Sequence, residues 1–502
     1  MTLETESIDL LKDALITLQK SFAGLPAFDS KADLDAIAPV LQQVARRMRD
    51  NYPYPHPFYA GQMLKPPHPV ARLAYTLALY LNPNNHALDG GRASSAMEKE
   101  AVAAIAGMFG WGARHLGHLS SAGTTANLEA LWVAGKLHPG KSIAASAQAH
   151  YTHARLTEAL QIPFACIAVD SHARMDIDDL ERQLRSGAIG TVVATLGTTG
   201  GGSVDPLDEI MRLRRRYEFR VHVDAAYGGY FHLADNLGAD ARRAFDCIDA
   251  ADSIVVDPHK HGLQPYGCGC VLFRDPAVGA IYRHDSPYTY FTSADLHLGE
   301  ISLECSRAGA AAVALWATQR LLPLTRGGEF ARGLARCRAA AVEWHRRRAE
   351  DRRDLTVFAP QLDIVLWAAR ADTASAISRR SQAVFDACAR AGLHLAVMKL
   401  PADLLRPHWP QVEFDGDGDG DGDGDDGDSD DGGDGDGSGS DDGGDGDGSD
   451  SDGDDGDIDG GDGGGDDGDT VTVLRSCMMK PEHLDWLQRI DATYRQARDS
   501  VD

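Results

Sequence analysis

The residues best suited to chemistry stand at the ends of two apolar, β-branched runs. Ser253-Ile-Val-Val-Asp-Pro-His-Lys260 closes on a histidine and a lysine, and Phe219-Arg-Val-His-Val-Asp224 closes on an aspartate 36 residues before that lysine. A lysine amine can hold an aldehyde covalently as an imine. A carboxylate can keep a pyridine nitrogen protonated, and only the charged ring draws electrons strongly from a bound substrate. Lys260 and Asp224 on neighbouring strand ends would supply both groups. Taken singly, either segment also reads as a buried strand followed by a solvated turn, so the surrounding motifs decide.

Four further segments answer to the same chemistry. Gly117-His-Leu-Ser-Ser-Ala-Gly-Thr-Thr-Ala-Asn-Leu-Glu-Ala130 runs from small, hydroxylated residues into a helical stretch, Ala126 to Gly135. Such a loop offers free backbone N–H groups to a phosphate, although Ser and Thr cap helices without any ligand as well. His150, in Ala-His-Tyr-Thr-His153, follows a strand ending at Ser146, where a flat imidazole can stack on a pyridine or serve as an ordinary structural residue. Thr195-Leu-Gly-Thr-Thr-Gly-Gly-Gly202, with Thr198 inside it, gives a backbone able to approach a ligand closely. Asp224-Ala-Ala-Tyr-Gly-Gly229 places the small Ala226 where a ring needs space. The whole set meets the requirements of pyridoxal 5'-phosphate.

These sites need a scaffold that brings strand ends together. Between about residues 95 and 330, helical stretches alternate with short apolar strands at Ser142 to Ser146, Phe164 to Val169, Thr191 to Leu196, Arg220 to Asp224, Ser253 to Asp257 and Cys270 to Phe273. That rhythm predicts an α/β domain, a largely parallel sheet with helices on both faces and a ligand at the carboxyl ends of the strands. Residues 1 to about 50 read as amphipathic helices, with Ile8, Leu11, Leu15 and Leu18 at helical spacing. Asn51-Tyr-Pro-Tyr-Pro-His-Pro-Phe-Tyr59 breaks that pattern, since each proline disfavours helix in the residue before it. Beyond a long helical region at about 300 to 350, Leu355 to Phe358, Asp363 to Trp367 and Val471 to Arg475 read as strands and Ser378 to Ala391 as a helix, a smaller C-terminal α+β unit. The expected division is 1–90 for N-terminal helices and dimer packing, 91–335 for the large cofactor domain and 336–502 for the small domain.

Residues 415–469 interrupt that small domain with 26 Asp, 23 Gly, five Ser and one Ile. Such a tract cannot bury a core and reads as disordered, placed between the arms of a hairpin formed by Gln411 to Phe414 and Val471 to Leu474. It lacks the closing Glu and the flanking helices of a calcium loop, so no metal site is expected. The formal charge of −26 also belongs to the tract: removing its 26 Asp from the 75 acidic residues leaves 49, equal to the 49 basic ones. The remainder therefore offers no basic footprint for nucleic acid. Eight cysteines show no Cys-x-x-Cys pair, and Cys268-Gly-Cys270 reads as two small buried residues. No apolar run reaches the roughly 20 residues of a membrane span, and the N-terminal residues lack the features of a secretory signal. A cytoplasmic protein is the expectation.

The ordered set Ala-Gly-Thr-Thr-Ala-Asn, His150, Gly-Thr-Thr-Gly, His-Val-Asp-Ala-Ala-Tyr-Gly-Gly and Asp-Pro-His-Lys-His-Gly resembles the group II pyridoxal phosphate-dependent amino-acid decarboxylases. The resemblance covers about residues 50 to 410 and 470 to 500. It implies fold type I, the aspartate aminotransferase-like fold with a large, mostly parallel seven-stranded sheet, and a homodimer. It implies Lys260 as the cofactor anchor, Asp224 as the pyridinium partner and His150 as the stacking ring. Gly123 and Thr124 match phosphate-loop positions, His259 matches a phosphate-reaching histidine, and Thr198 stands near the cofactor or substrate carboxylate. Asp257, where many relatives have Asn, is set aside. The family's loop tyrosine, which returns a proton to Cα after carbon dioxide leaves, corresponds to Tyr290, with Tyr288 fitting the spacing slightly less well.

The activity implied is decarboxylation of an L-amino acid, a small molecule, with an aromatic substrate such as tyrosine favoured because Tyr52, Tyr54, Phe58 and Tyr59 offer aromatic walls. Glutamate, aspartate or diaminobutyrate is the alternative, as is a carbon-carbon lyase on the same fold. A noncatalytic cofactor-binding scaffold whose acidic tract recruits a partner is the reading from another class, and intact Lys260 and Asp224 argue against it.

Overall fold

In the computed structural model, which describes residues 5–26, 28, 32–283, 296–414 and 470–501, two sheets organise the chain. The larger consists of β1 (Leu116–Ser120), β2 (Ser142–Ser146), β3 (Phe164–Ile167), β4 (Ile189–Thr195), β5 (Arg220–Asp224), β6 (Ser253–Val256) and β7 (Gly269–Phe273). Its spatial order is β1-β7-β6-β5-β4-β2-β3, so the expected seven-stranded sheet is present. From β6 through β3 every neighbouring pair is parallel, while β7 runs antiparallel to both β6 and β1. All seven residues of β4 are buried, the pattern of a strand covered on both faces and the reason its sequence shows no alternation. The helix Gly123–Leu137 lies across β5, β6 and β7.

This topology delivers the functional residues to one edge. Parallel strands share the direction of their carboxyl ends, and β1, antiparallel to β7, points the same way as β6. The chain therefore leaves β1, β2, β4, β5 and β6 on a common side, the usual ligand edge of such sheets. β1 was missing from the strands read in the sequence, because Gly117 and His118 interrupt its apolar run. Its His118 is nonetheless fully buried, Nε2 donating to the Glu129 carboxylate at 2.9 Å.

The second sheet contains β8 (Asp354–Thr356), β9 (Ile364–Ala369), β10 (Ala396–Pro401) and β11 (Thr470–Cys477), in the order β10-β11-β9-β8 and antiparallel throughout. Trp344, Trp367 and Tyr494 pack edge to face beneath it with centroids 5.6 to 5.8 Å apart. The expected hairpin is corrected here. The strand that pairs with β11 is β10, with Pro401 opposite Thr470, and Gln411 to Phe414 form no strand. Glu413 satisfies its backbone groups on Asp372 and Ala374 alone, while Val412 and Phe414 sink singly into the core. Pairing of β10 with β11 still sets residues 401 and 470 side by side, and the Asp/Gly tract lies outside the described residues.

The helix Ser7–Lys20 rests on the helix Pro69–Leu79, as the N-terminal periodicity anticipates, and neither it nor the helix Leu34–Arg47 buries a residue. Both cysteines of Cys268-Gly-Cys270 are buried, as expected.

Candidate active site

Each functional side chain is placed by the end of a strand. Asp224 is the last residue of β5 and is 4% exposed. Its Oδ2 accepts from His153 Nε2 at 2.8 Å and from Asn127 Nδ2 at 3.3 Å, and its Oδ1 accepts the Ala226 N–H at 3.0 Å. Burial alone would raise this carboxyl, but the bonds from His153 and Ala226 and the field of His153 and His222 outweigh it. Asp224 is thereby held well below the ordinary carboxylate range. Asn127 is in turn fixed by His222, whose Nε2 donates to Asn127 Oδ1 at 2.8 Å while Nδ1 meets Ser253 Oγ at 2.8 Å. Burial pushes His222 down to about 3, so it is a neutral linker at physiological pH.

Lys260 follows β6 through the turn Asp257 to Lys260, closed by its N–H bonding to the Asp257 carbonyl at 3.0 Å. Its ammonium lies 3.2 Å from Asp257 Oδ2. The Asp257 N–H binds the Ala226 carbonyl and the Ala225 N–H the Val255 carbonyl, which locks the Lys260 turn to the Asp224 turn. Asp257 is 2% exposed and packs onto Gly123, where an added Cβ would stand 2.5 Å from Oδ2. Glycine at 123 is therefore a requirement of close approach. His259 bonds the Cys268 carbonyl through Nδ1 at 2.8 Å, which leaves Nε2 facing Asp257 at 3.6 Å.

The helix Gly123–Leu137 begins at this edge. Its first backbone bond runs from Ala126 to Ala122, so the N–H groups of Gly123, Thr124 and Thr125 precede the helical ladder and can receive an anion. Thr124 is exposed. His150 lies four residues past the end of β2, its Nδ1 accepting the Thr152 N–H at 3.3 Å and contacting Thr152 Oγ1 at 2.8 Å. Burial lowers it to about 4, which keeps the ring neutral. Thr198 is fully buried, and its hydroxyl accepts the Ser203 N–H at 3.0 Å while retaining its own proton to donate. Ala226 is 9% exposed and leaves room above β5. Tyr288 and Tyr290 lie outside the described residues.

Four residues that sequence reasoning passed over complete the arrangement. Asn127 stands one helical turn beyond Gly123, and His153 one turn beyond His150; both were visible in the quoted motifs without a role. Asp257 holds Lys260. Arg475, on β11, donates to the carbonyls of Thr199 at 2.7 Å, Gly200 at 2.9 Å and Gly61 at 3.3 Å, so the second sheet braces the Thr198 loop. That part of the chain also reaches the site through Asp363, which accepts from Tyr227 at 2.6 Å and faces His261 at 3.2 Å. The rings of Tyr52, Tyr54 and Tyr59 pack on one another, Tyr52 also on His394, and Phe58 packs on Trp486.

The residues present fit pyridoxal phosphate. Buried polar atoms without a partner gather at the carboxyl edge: Ser146 Oγ, Thr195 Oγ1, His153 Nδ1 and Asp257 Oδ1. Buried polar atoms ordinarily find a partner, so such a cluster marks a place for a polar ligand. The helix start would take the phosphate, Asp224 the ring nitrogen, His150 the ring face and Lys260 the aldehyde. Among the described residues no group of three or more His, Cys, Asp or Glu could hold a metal ion.

Comparison with known proteins agrees with that geometry. Residues 132–322 match the pyridoxal-dependent decarboxylase conserved domain. The chain is 29% identical to an L-tyrosine decarboxylase of Enterococcus faecium, over 59% of this chain and 65% of that protein. It is 28% identical to a probable L-tyrosine/L-aspartate decarboxylase of Methanothermobacter thermautotrophicus, over 52% and 70%. Against the E. faecium protein the chain thus spans just under two thirds of its relative's length. In three dimensions it resembles Oryza sativa TDC with pyridoxal phosphate and tryptamine, with a TM-score of 0.70 and 16% identity over 98% of this chain and 96% of that one. Mouse CSAD in apo form gives a TM-score of 0.69 and 17% identity over 98% and 92%. The fold is therefore fold type I of the pyridoxal phosphate enzymes, and residues 132–322 carry the match to the pyridoxal-dependent decarboxylase conserved domain.

Proposed function

We propose that the protein removes carbon dioxide from an L-amino acid, giving the corresponding amine, with pyridoxal phosphate held as described. The observation that carries this reading is the pairing of an ionised, buried Asp224 with Lys260 on adjoining strand ends. When bound, the cofactor supplies an aldehyde for the substrate amine and a protonated ring to accept the electron pair left by departing carbon dioxide. Asp224 keeps the proton on the ring nitrogen by remaining charged throughout. His150, neutral and flat, covers the ring face and excludes water. Lys260 would hold the cofactor's aldehyde carbon, and Asp257, whose Oδ2 lies 3.2 Å from Nζ, would hold that side chain in place whenever it is free. Tyr290, or Tyr288, is proposed to return the proton to Cα.

Tyrosine is the substrate that the E. faecium relative's name favours. Aspartate is the second reading, which the name of the M. thermautotrophicus relative favours. Supplying the purified protein with pyridoxal phosphate and a panel of L-amino acids, and measuring carbon dioxide and amine, decides between them. Release of an aldehyde or keto acid without carbon dioxide would overturn the decarboxylase reading and favour the lyase.

The working protein is proposed to be a cytoplasmic homodimer, with residues 91–335 as the cofactor domain and 336–502 as the small domain. Leu34, Ile37, Val40, Leu41 and Val44 form an exposed apolar stripe on one helix, which a second copy would cover. All eight cysteines are free, and among the described residues no helix is long and apolar enough to cross a membrane. Light scattering that finds a monomer at micromolar concentration would remove the dimer.

A further inference from the structure

We propose that His153 is a positioning residue for the cofactor ring, fixing the Asp224 carboxylate through Nε2 so that Oδ1 alone is left open to the ring nitrogen. The inference rests on the pyridoxal phosphate reading given above. A carboxylate oxygen has two acceptor sites. Among the described residues Oδ2 fills both, from His153 and Asn127, whereas Oδ1 takes only the Ala226 N–H. The carboxylate therefore has one open site with a defined direction.

His153 is poorly explained by packing. Its side chain is 1% exposed, and its Nδ1 is buried without a partner, a costly arrangement that an apolar residue would avoid. Among the described residues the single side-chain bond that it makes is the one to Asp224, and because a carboxylate only accepts, His153 must be the donor. The chain also builds His153 and His150 into one helical turn at the start of Thr152–Ala159, with the His153 N–H bonded to the His150 carbonyl at 3.0 Å. One short element thus presents the residue for the ring's face and the residue that orients the acid for its nitrogen. Asn127, held by His222 and Ser253, approaches the same oxygen from the other side.

The test compares the full-length protein with His153→Leu, which removes the donor, and His153→Gln, which keeps an N–H donor of similar reach. Pyridoxal phosphate is titrated into each apo protein, and the visible absorption of the lysine-bound cofactor is followed against pH. Loss of an orienting partner behind a bound group typically weakens binding about 10- to 100-fold. The leucine variant should therefore bind more weakly by about that factor and shift the pH profile of the absorption band, while the glutamine variant recovers most of both. A leucine variant with the affinity and pH profile of the parent would overturn the proposal, and so would equal impairment in leucine and glutamine variants, which indicates packing alone. If His153→Leu does not fold, His153→Met takes its place in the same comparison. Wild-type protein that fails to bind the cofactor on Lys260 would refute the cofactor reading itself, a distinct outcome.

Discussion

Each sheet buries an aspartate, and the two are satisfied in opposite ways. Asp354, at the start of β8, is met by Arg348 at 2.9 Å, Arg498 at 3.0 Å and the Tyr494 hydroxyl at 2.7 Å, and all four side chains are buried. Asp224, at the end of β5, has no lysine or arginine within ion-pair distance among the described residues, only an imidazole, an amide and a backbone N–H. The first carboxylate has its charge answered by permanent cations inside the fold. The second keeps its charge by hydrogen bonding, with no fixed cation beside it. Buried charge of the first kind joins elements around the second sheet, and of the second kind leaves a place for a cation from outside, which the proposed protonated pyridine would fill.

Replacement of residues on each side tests that contrast. The largest effect is expected for Lys260→Ala, which should lose both turnover and the absorption of lysine-bound cofactor; a persistent lysine-linked band would refute the anchor. Asp224→Asn should still bind cofactor yet lose turnover by about 10³-fold, the scale of a key electrostatic contact, with little change in thermal melting. Near-normal turnover would erase the difference between the two aspartates. Asp354→Asn should behave in the reverse sense, because it leaves two arginines buried without their carboxylate. Denaturant unfolding should show a loss of roughly 3–5 kcal/mol, with turnover per folded molecule retained. Gly123→Ala drives a methyl into the Asp257 carboxylate and should lower cofactor affinity about 10-fold, read by titration.

The pH dependence of stability sharpens the same point. Asp224 titrates below its unfolded value, so its contribution is complete above about pH 4 and is lost only as pH falls through the lower folded value. It adds no slope near neutrality. Lys480 differs, since burial and the nearby Lys65 lower it to about 7 while its Nζ donates to the Tyr59 carbonyl at 2.6 Å. Between about pH 7 and 10.5 the unfolded chain binds the extra proton, so stability rises with pH by up to roughly 1.4 kcal/mol per unit. Lys480→Met should flatten that slope, and an unchanged slope would assign it elsewhere.

Much of the site was legible because its residues lie beside strand ends, and strand ends are marked by apolar runs. The candidates Lys260, Asp224, His150 and Gly123 were picked out in this way, and the structure sets each beside a strand end. His153 and Asn127 were not, because their importance comes from bonds to a residue 71 and 97 positions away, and spacing along the chain does not report such contacts. β10 escaped because Lys399 and Pro401 break its pattern, and Gln411 to Phe414 resembled its replacement because two of its four residues are apolar. Arg475 carried no signal among 39 arginines. Only the register of β11 brings it to the Thr198 loop.

That brace has a temporal side. Arg475 is made 215 residues after Lys260, on the order of 10 to 40 s later at common rates of synthesis. A growing chain therefore carries the residues proposed to hold the cofactor well before it carries the side chain that steadies the Thr198 loop. Competence to hold the cofactor tightly becomes a late event in the life of the nascent protein, gated by the return of its last strand.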